Sequence, residues 1–386
     1  MLLKKLFTMM AEKKASDIFV SAGTPIQIKI NGTAMPVNPQ ALTGEDAKRI
    51  CYEILTPEQI ARLEKERELN ISFPIEGVGN FRVNMFWQKG TVGAVVRYIT
   101  TNIPDMRTLG LPQILAQLIM EKRGLILFVG ATGSGKSTSL ASMIEFRNMS
   151  KPGHILTFED PIEFVFKSKK SVVNQREIGN DSHSFMEAGR NAMRQAPDVI
   201  LVGEIRDVET MKMAMMYSLS GHLCLATLHA NNSYHALNRI INFFPLDQRA
   251  VLLNDLSVSL RAIVSQRLVK NMEGGRSAAI EILLNTTNIA ELVAEGRVSD
   301  IKDAMEKSLT PGSQTFEQDL FRLIKAEKIT VEEGIANSDS ATNLALIIGN
   351  SGFKPIYKDG APPPSAPSRH GAPSFSEFKI DADTEH

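Results

Sequence analysis

The stretch GATGSGKST, residues 130–138, stands directly behind the apolar run Leu125, Ile126, Leu127, Phe128 and Val129. Its spacing is G-x-x-x-x-G-K-[ST], a phosphate-binding loop between a buried strand and a helix. The chemistry sets that spacing. Gly130, Gly133 and Gly135 let successive backbone N–H groups turn inward onto phosphate oxygens, with Thr132, Ser134 and Thr138 completing the loop's contacts. Lys136 reaches the β- and γ-phosphates, and the Ser137 hydroxyl ligates Mg²⁺. A helix starting near Lys136 adds the positive end of its dipole. A purely structural glycine-rich turn is the competing reading, and the strand before and the helix after weigh against it. The stretch therefore implies binding of a nucleoside triphosphate.

Working outward, helices alternate with short apolar runs at residues 155–158, 199–202 and 223–228. Strands buried on both faces read as continuous apolar runs, so this part is a mostly parallel sheet with helices on both sides. Beyond Asn242 the pattern turns mainly helical. Leu252, Leu256, Leu260 and Ile263 keep one helical face through to Val269, a strand follows at 278–283, and helices fit 289–295, 299–308 and 314–326. The Pro-rich segment 359–386 cannot bury much and reads as a disordered tail.

The first hundred residues read as a separate small mixed α/β domain. Leu2, Leu3, Leu6, Phe7 and Met10 lie at helical spacing, suited to packing on the domain itself or to lying on a membrane. Strands follow at 17–21 and 26–30, with Asn31-Gly32 as a two-residue hairpin turn. Thr43 with Asp46, and Pro57 in a first turn, mark two helix starts. The charged run 62–68 is a solvated helix face, and strands return at 70–75, 80–86 and 92–99. Residues 101–112, TNIPDMRTLGLP, carry Pro and Gly without periodicity and read as a hinge linker. The expected organisation is thus 1–100, linker 101–112, a P-loop domain over 113–358, and the tail 359–386.

The 386 residues carry 43 Lys+Arg against 43 Asp+Glu, so no global basic field points to nucleic acid. Cys51 and Cys224 form no pairing pattern, as expected in a reducing compartment. Lysines interrupt the apolar N-terminus, so it is no signal peptide, and no apolar run reaches membrane-spanning length. These features read as a cytoplasmic protein that reaches a membrane only through a partner.

Hydrolysis needs a carboxylate to hold the attacking water, a Mg²⁺ ligand set and positive charge on the transferred phosphoryl group. The segment TFEDPIE, residues 157–163, places Glu159, Asp160 and Glu163 beyond one strand end, and DVILVGE, residues 198–204, places Glu204 beyond another, followed by Arg206, a candidate nucleotide contact, and Asp207. Strand ends are where α/β sheets build ligand sites. Each acid alone would be a surface loop or helix cap; two groups behind one P-loop favour catalysis. Glu204 follows an intervening glycine, and the strand's own acid, Asp198, lies at its start. His222 and His229 bracket the 223–228 strand. They have no converging ligands for zinc, and a strand-end histidine sensing the γ-phosphate is better motivated.

The ordered P-loop, EDPIEF, RQAPDVILVGEIRD and GHLCLATLHA resemble the Walker A, Asp box, Walker B and His box of the secretion ATPase superfamily that powers type II secretion and type IV pili, over residues 16–350. The compact N-terminal domain and the lack of a four-cysteine module resemble the pilus retraction branch, PilT and PilU. The resemblance implies an N-terminal PAS-like α/β domain and a RecA-like P-loop ATPase domain with a helical C-terminal part. It also implies ATP and Mg²⁺ as ligands, a homo-hexamer, an inner-membrane platform protein as partner, and no nucleic acid or membrane insertion. Glu204 matches the Walker B glutamate, Glu163 the Asp-box glutamate, and His222 and His229 the His box. One of the two glutamates would position water while the other supports Mg²⁺. Arg82 in FRVN and Arg97 in VVRY match arginines that contact the nucleotide's phosphates; read from the residues alone, they are sheet-face arginines paired with a carboxylate. Departures include Ala131 for the usual proline, Ala196 for the usual aspartate, and residues 287–295 in place of the AIRNLIRE helix. With the Pro-rich extension, these resemble the accessory PilU type that acts with a PilT-like ATPase. A non-hydrolysing scaffold ring and a DNA-traffic ATPase stand as alternatives.

Overall fold

A computed structural model describes residues 2–30, 32–99 and 102–353. The expected tail 359–386 lies outside them, as do Asn31 of the hairpin turn and Thr101 of the linker. Thirteen strands are defined: β1 Asp17–Val20, β2 Gln27–Ile30, β3 Thr33–Pro36, β4 Glu68–Ile75, β5 Gly79–Gln88, β6 Thr91–Ile99, β7 Gly124–Val129, β8 Gly153–Glu159, β9 Ser171–Glu177, β10 Val199–Val202, β11 Leu223–Leu228, β12 Leu260–Lys270 and β13 Arg276–Leu284. They form a six-stranded sheet, β3-β2-β1-β6-β5-β4, and a seven-stranded sheet, β13-β12-β7-β11-β10-β8-β9. The protein is a mixed α/β chain, with an N-terminal α/β part built on the first sheet and the P-loop part built on the second.

The first sheet is antiparallel throughout its recorded pairings. The helix Leu2–Glu12 buries Leu3, Leu6, Phe7 and Met10, each worth roughly 1.5–3 kcal/mol when fully removed from water. Phe7 stacks on Phe81 with ring centroids 4.4 Å apart. The apolar face of this helix is thus spent on its own domain. Both following helices begin with reciprocal capping boxes, Thr43 with Asp46 and Thr56 with Gln59, which satisfy N–H groups that the first turn leaves unpaired.

In the second sheet β12, β7, β11, β10, β8 and β9 run parallel. Every residue of β7 and of β10 is buried, as their unbroken apolar runs require. Because the strands are parallel, their C-terminal ends share one edge, and the P-loop leaves from that edge of β7. Met211, Met213 and Met215 join the core of this sheet, while Met216 is exposed.

The sequence reading is corrected in two places. The helical face read through to Val269 ends at Ser259, where β12 begins. Strand β9 and the helices Val331–Asn337 and Ala341–Asn350 had no counterpart in the sequence reading. Residues 102–112 form turns without helix or strand. By its internal contacts the chain divides into two compact units, Met1–Leu268 with Ile280–Thr315, and Val269–Ala279 with residues from Phe316 onward. The second has its own core, including Phe316, Leu320, Leu323, Ile324 and Leu344.

Candidate nucleotide site

The P-loop turns tightly enough to demand its glycines. A Cβ on Gly130 would stand 2.4 Å from Ser134 Oγ and 2.6 Å from the Gln266 carbonyl oxygen. Gly135 has φ +85°, and a Cβ there would meet Gln266 Nε2 at 2.7 Å. Gly133 also has positive φ, with Thr132 exposed beside it. Lys136 opens the helix Lys136–Ser150 and is buried, its Nζ donating to the carbonyls of Gly130 at 2.7 Å and Ala131 at 2.9 Å. Burial pulls its pKa down, while the charges of Glu204 and Glu163 push it up. The lysine thus feels the charge of both sequence-identified glutamates. Ser137 and Thr138 are half-buried in the helix's first turn. Ser134 Oγ is buried with no hydrogen-bond partner among the described residues.

One brace of this loop escaped the sequence reading. Gln266 on β12 donates from Nε2 to the Ser134 carbonyl at 2.9 Å and accepts from Ser139 Oγ at 2.8 Å. The glutamine in the apolar run AIVSQRLV was the available signal, hidden by the helical assignment there.

The glycine before Glu204 has a packing reason. Gly203 N–H donates to the Phe158 carbonyl at 2.7 Å, and a Cβ would lie 2.9 Å from that same oxygen. Only glycine lets the end of β10 pass this close to the end of β8. Glu204 Oε2 accepts from Arg206 Nε at 2.8 Å, and Oε1 lies 3.3 Å from His229 Nε2. Arg206 Nη1 stands 3.2 Å from Asp160 Oδ2. The hydrogen bond to Glu204, ahead of the Asp160 charge, raises the Arg206 pKa. Arg206, expected to contact nucleotide, here joins the Walker B glutamate to the Asp box. Glu159 is buried, and burial pushes its pKa up to about 7 despite hydrogen bonds from Thr157 and Gln175. Glu163 is exposed on the loop beyond β8.

Three expected site residues do not join this edge. His222 precedes β11, at the end opposite His229, where its carbonyl accepts from Gly124 N–H. At about 3.3 Å per strand residue the two imidazoles are roughly 20 Å apart, so one protomer cannot place both on a γ-phosphate. Arg97 Nε is paired with Asp17 Oδ1 at 2.9 Å, across the β1–β6 register. Arg82 stands opposite Arg97 in the β5–β6 register, half-buried, and has no hydrogen bond or ion pair among the described residues.

Among the described residues no group of three or more His, Cys, Asp or Glu side chains could hold a metal ion. Mg²⁺ needs no such cage. It keeps several waters and uses one or two protein oxygens besides phosphate, which Ser137 and Glu204 can supply. No helix among those residues is long and apolar enough to cross a membrane.

A family model described as type II/IV secretion system protein matches residues 1–281. The chain belongs to this secretion ATPase family. The type IV pilus ATPase PilU of Pseudomonas aeruginosa is 47% identical over 346 residues, covering 89% of this chain and 91% of PilU. The retraction ATPase PilT of the same organism is 38% identical, over 90% of this chain and 98% of PilT. A crystal structure of the pilus retraction motor PilT with bound ADP superposes with a TM-score of 0.83 at 40% identity, covering 89% of this chain and 98% of that one. The Legionella pneumophila ATPase DotB gives 0.72 at 27% identity, covering 90% of this chain and 96% of that one. Within the secretion ATPases, the chain is an ATPase of the PilT/PilU retraction branch.

Proposed function

We propose that this chain is an ATP-hydrolysing motor subunit for type IV pilus retraction and twitching motility, filling the accessory role of a PilU-like ATPase beside a PilT-like one. The observation that carries this reading is the glycine-built P-loop at the end of β7, with Lys136 buried on the Gly130 and Ala131 carbonyls, on the same parallel-sheet edge from which β8 and β10 lead to Glu163 and Glu204. The 47% identity to PilU supports the accessory assignment.

In this reading the P-loop amides and Lys136 cradle the β- and γ-phosphates, with Thr132, Ser134 and Thr138 lining the cradle. Ser137 and Glu204 would hold Mg²⁺, which when bound neutralises charge on the phosphate oxygens. Glu163 and Glu204 divide between them the polarising of the attacking water and the support of that ion. His229, beside Glu204, reports on the γ-phosphate. Arg82 and Arg97 add positive charge from the N-terminal domain, and Arg97 must first leave Asp17. Residues 1–100, the linker 101–112 and the ATPase domain 113–358 would move as the working parts of a homo-hexamer. That ring would sit at the cytoplasmic face of the inner membrane, against the pilus platform protein.

The test is steady-state ATPase activity of the purified protein, alone and mixed with a PilT-type ATPase. Lys136→Ala is expected to abolish turnover. Glu204→Ala should keep ATP bound while slowing hydrolysis about 10²-fold or more. Nucleotide binding without turnover in the unaltered protein, with or without the PilT-type partner, would overturn the motor reading in favour of a scaffold ring.

A further inference from the structure

Glu163 rides on residues 160–166, which belong to no helix or strand. Backbone amides and carbonyls in such a segment must find partners outside any ladder. Here the partners are two side chains of β9. Ile162 N–H donates to Glu177 Oε2 at 3.1 Å. The Phe164 carbonyl accepts from Gln175 Nε2 at 2.8 Å, and Phe166 N–H donates to Gln175 Oε1 at 2.8 Å. Gln175 Nε2 also donates to Glu159 Oε1 at 3.0 Å, and the same oxygen accepts from Thr157 Oγ1 at 2.7 Å. Gln175 and Glu177 are two apart on β9, so both project from one face of that edge strand.

We infer that Gln175 is a positioning residue for ATP hydrolysis: its amide locks the loop immediately after Glu163 and ties it to the buried Glu159. The inference rests on the proposed participation of Glu163 in hydrolysis. Only an amide can do this work, because the site needs a donor for the Phe164 carbonyl and Glu159 and an acceptor for Phe166 N–H. A carboxylate of the same shape loses the donor and stands against Glu159. A shorter or apolar side chain leaves backbone groups unpaired and the loop free to wander. A displacement of about 1 Å at a reacting group can cost on the order of 10²-fold in rate.

The experiment uses the full chain with Gln175→Ala, Gln175→Glu, Glu163→Gln and the double variant Glu163→Gln/Gln175→Ala. Each Gln175 variant should lower kcat by about 10- to 100-fold, with the KM for ATP and the binding of a fluorescent ATP analogue within about twofold of the unaltered protein. The double variant should be no slower than Glu163→Gln alone, because a positioning residue has nothing left to position. If Gln175→Ala fails to fold, Gln175→Asn, one methylene too short to span the loop, gives the same reading. Wild-type kcat in the Gln175 variants while Glu163→Gln is inactive would overturn the inference and leave the role of Glu163 intact. Losses that multiply in the double variant would overturn it too. Full activity in Glu163→Gln would instead sink the assignment of Glu163 itself.

Discussion

Replacing Gln266 with methionine tests how far the P-loop depends on β12. The side chains are similar in length, so the change removes polarity and leaves the volume nearly unaltered. Two hydrogen bonds disappear, one to the Ser134 carbonyl and one from Ser139 Oγ, and both partners sit on buried residues. A net hydrogen bond is worth about 1 kcal/mol, and a buried group left alone costs about 1–3 kcal/mol, so the pair is expected to cost roughly 2–4 kcal/mol. At about 2–4 °C per kcal/mol for a domain of this size, Tm should fall by roughly 4–15 °C. If about 2 kcal/mol of that cost falls on the loop's bound geometry, nucleotide Kd weakens roughly 30-fold. Thermal melting with and without nucleotide, beside titration of a fluorescent ATP analogue, measures both. Adding Ser139→Ala should restore part of the loss, because the orphaned hydroxyl goes with it. A Gln266→Met protein with unchanged Kd and a Tm within 1–2 °C of the parent would refute the reasoning.

Two further predictions concern buried or strained positions. The folded-state pKa of Glu159 is raised to about 7, above the ordinary glutamate value of about 4.3. The folded state therefore holds this proton more tightly, and stability falls as pH rises through that window, by about 4 kcal/mol in all, then levels off above it. Glu159→Gln should flatten this slope in chemical denaturation at pH 5, 6, 7 and 8; an unchanged slope would contradict the burial argument. Ala196 adopts φ +48° at the end of the turn before β10, a left-handed conformation that costs a residue with a Cβ about 1 kcal/mol or more. Ala196→Gly should raise stability by several tenths to about 1 kcal/mol, read as a higher Tm, and a lower Tm would show that the conformation is not strained.

The nucleotide-binding edge was legible because its signals are local. The P-loop, the two acidic strand ends and the helix starts at Thr43 and Pro57 each carry their chemistry within a few positions. What escaped depends on long-range placement. Leu256, Leu260 and Ile263 keep helical spacing across the true end of the helix Arg249–Ser259, so periodicity alone ran straight into β12. With that strand went Gln266, whose partners lie some 130 positions earlier. Strand β9, SVVNQRE, is a half-exposed sheet edge and too polar to read as a buried parallel strand, which hid Gln175. Arg97 shows the reverse case. Its pairing with Asp17 is the reading its strand position alone suggested, and the nucleotide contact came from resemblance.

Arg206 gives the site a resting posture. One Glu204 oxygen is held by Arg206 and the other faces His229, while the guanidinium also reaches Asp160. Arg206 is about half exposed, and ion pairs in such settings are worth about 0–1 kcal/mol. The grip is therefore loose, holding idle consumption of ATP down by no more than about fivefold. If Glu204 acts in hydrolysis as proposed, an unloaded subunit keeps a slow idling turnover, and releasing Glu204 from Arg206 costs little.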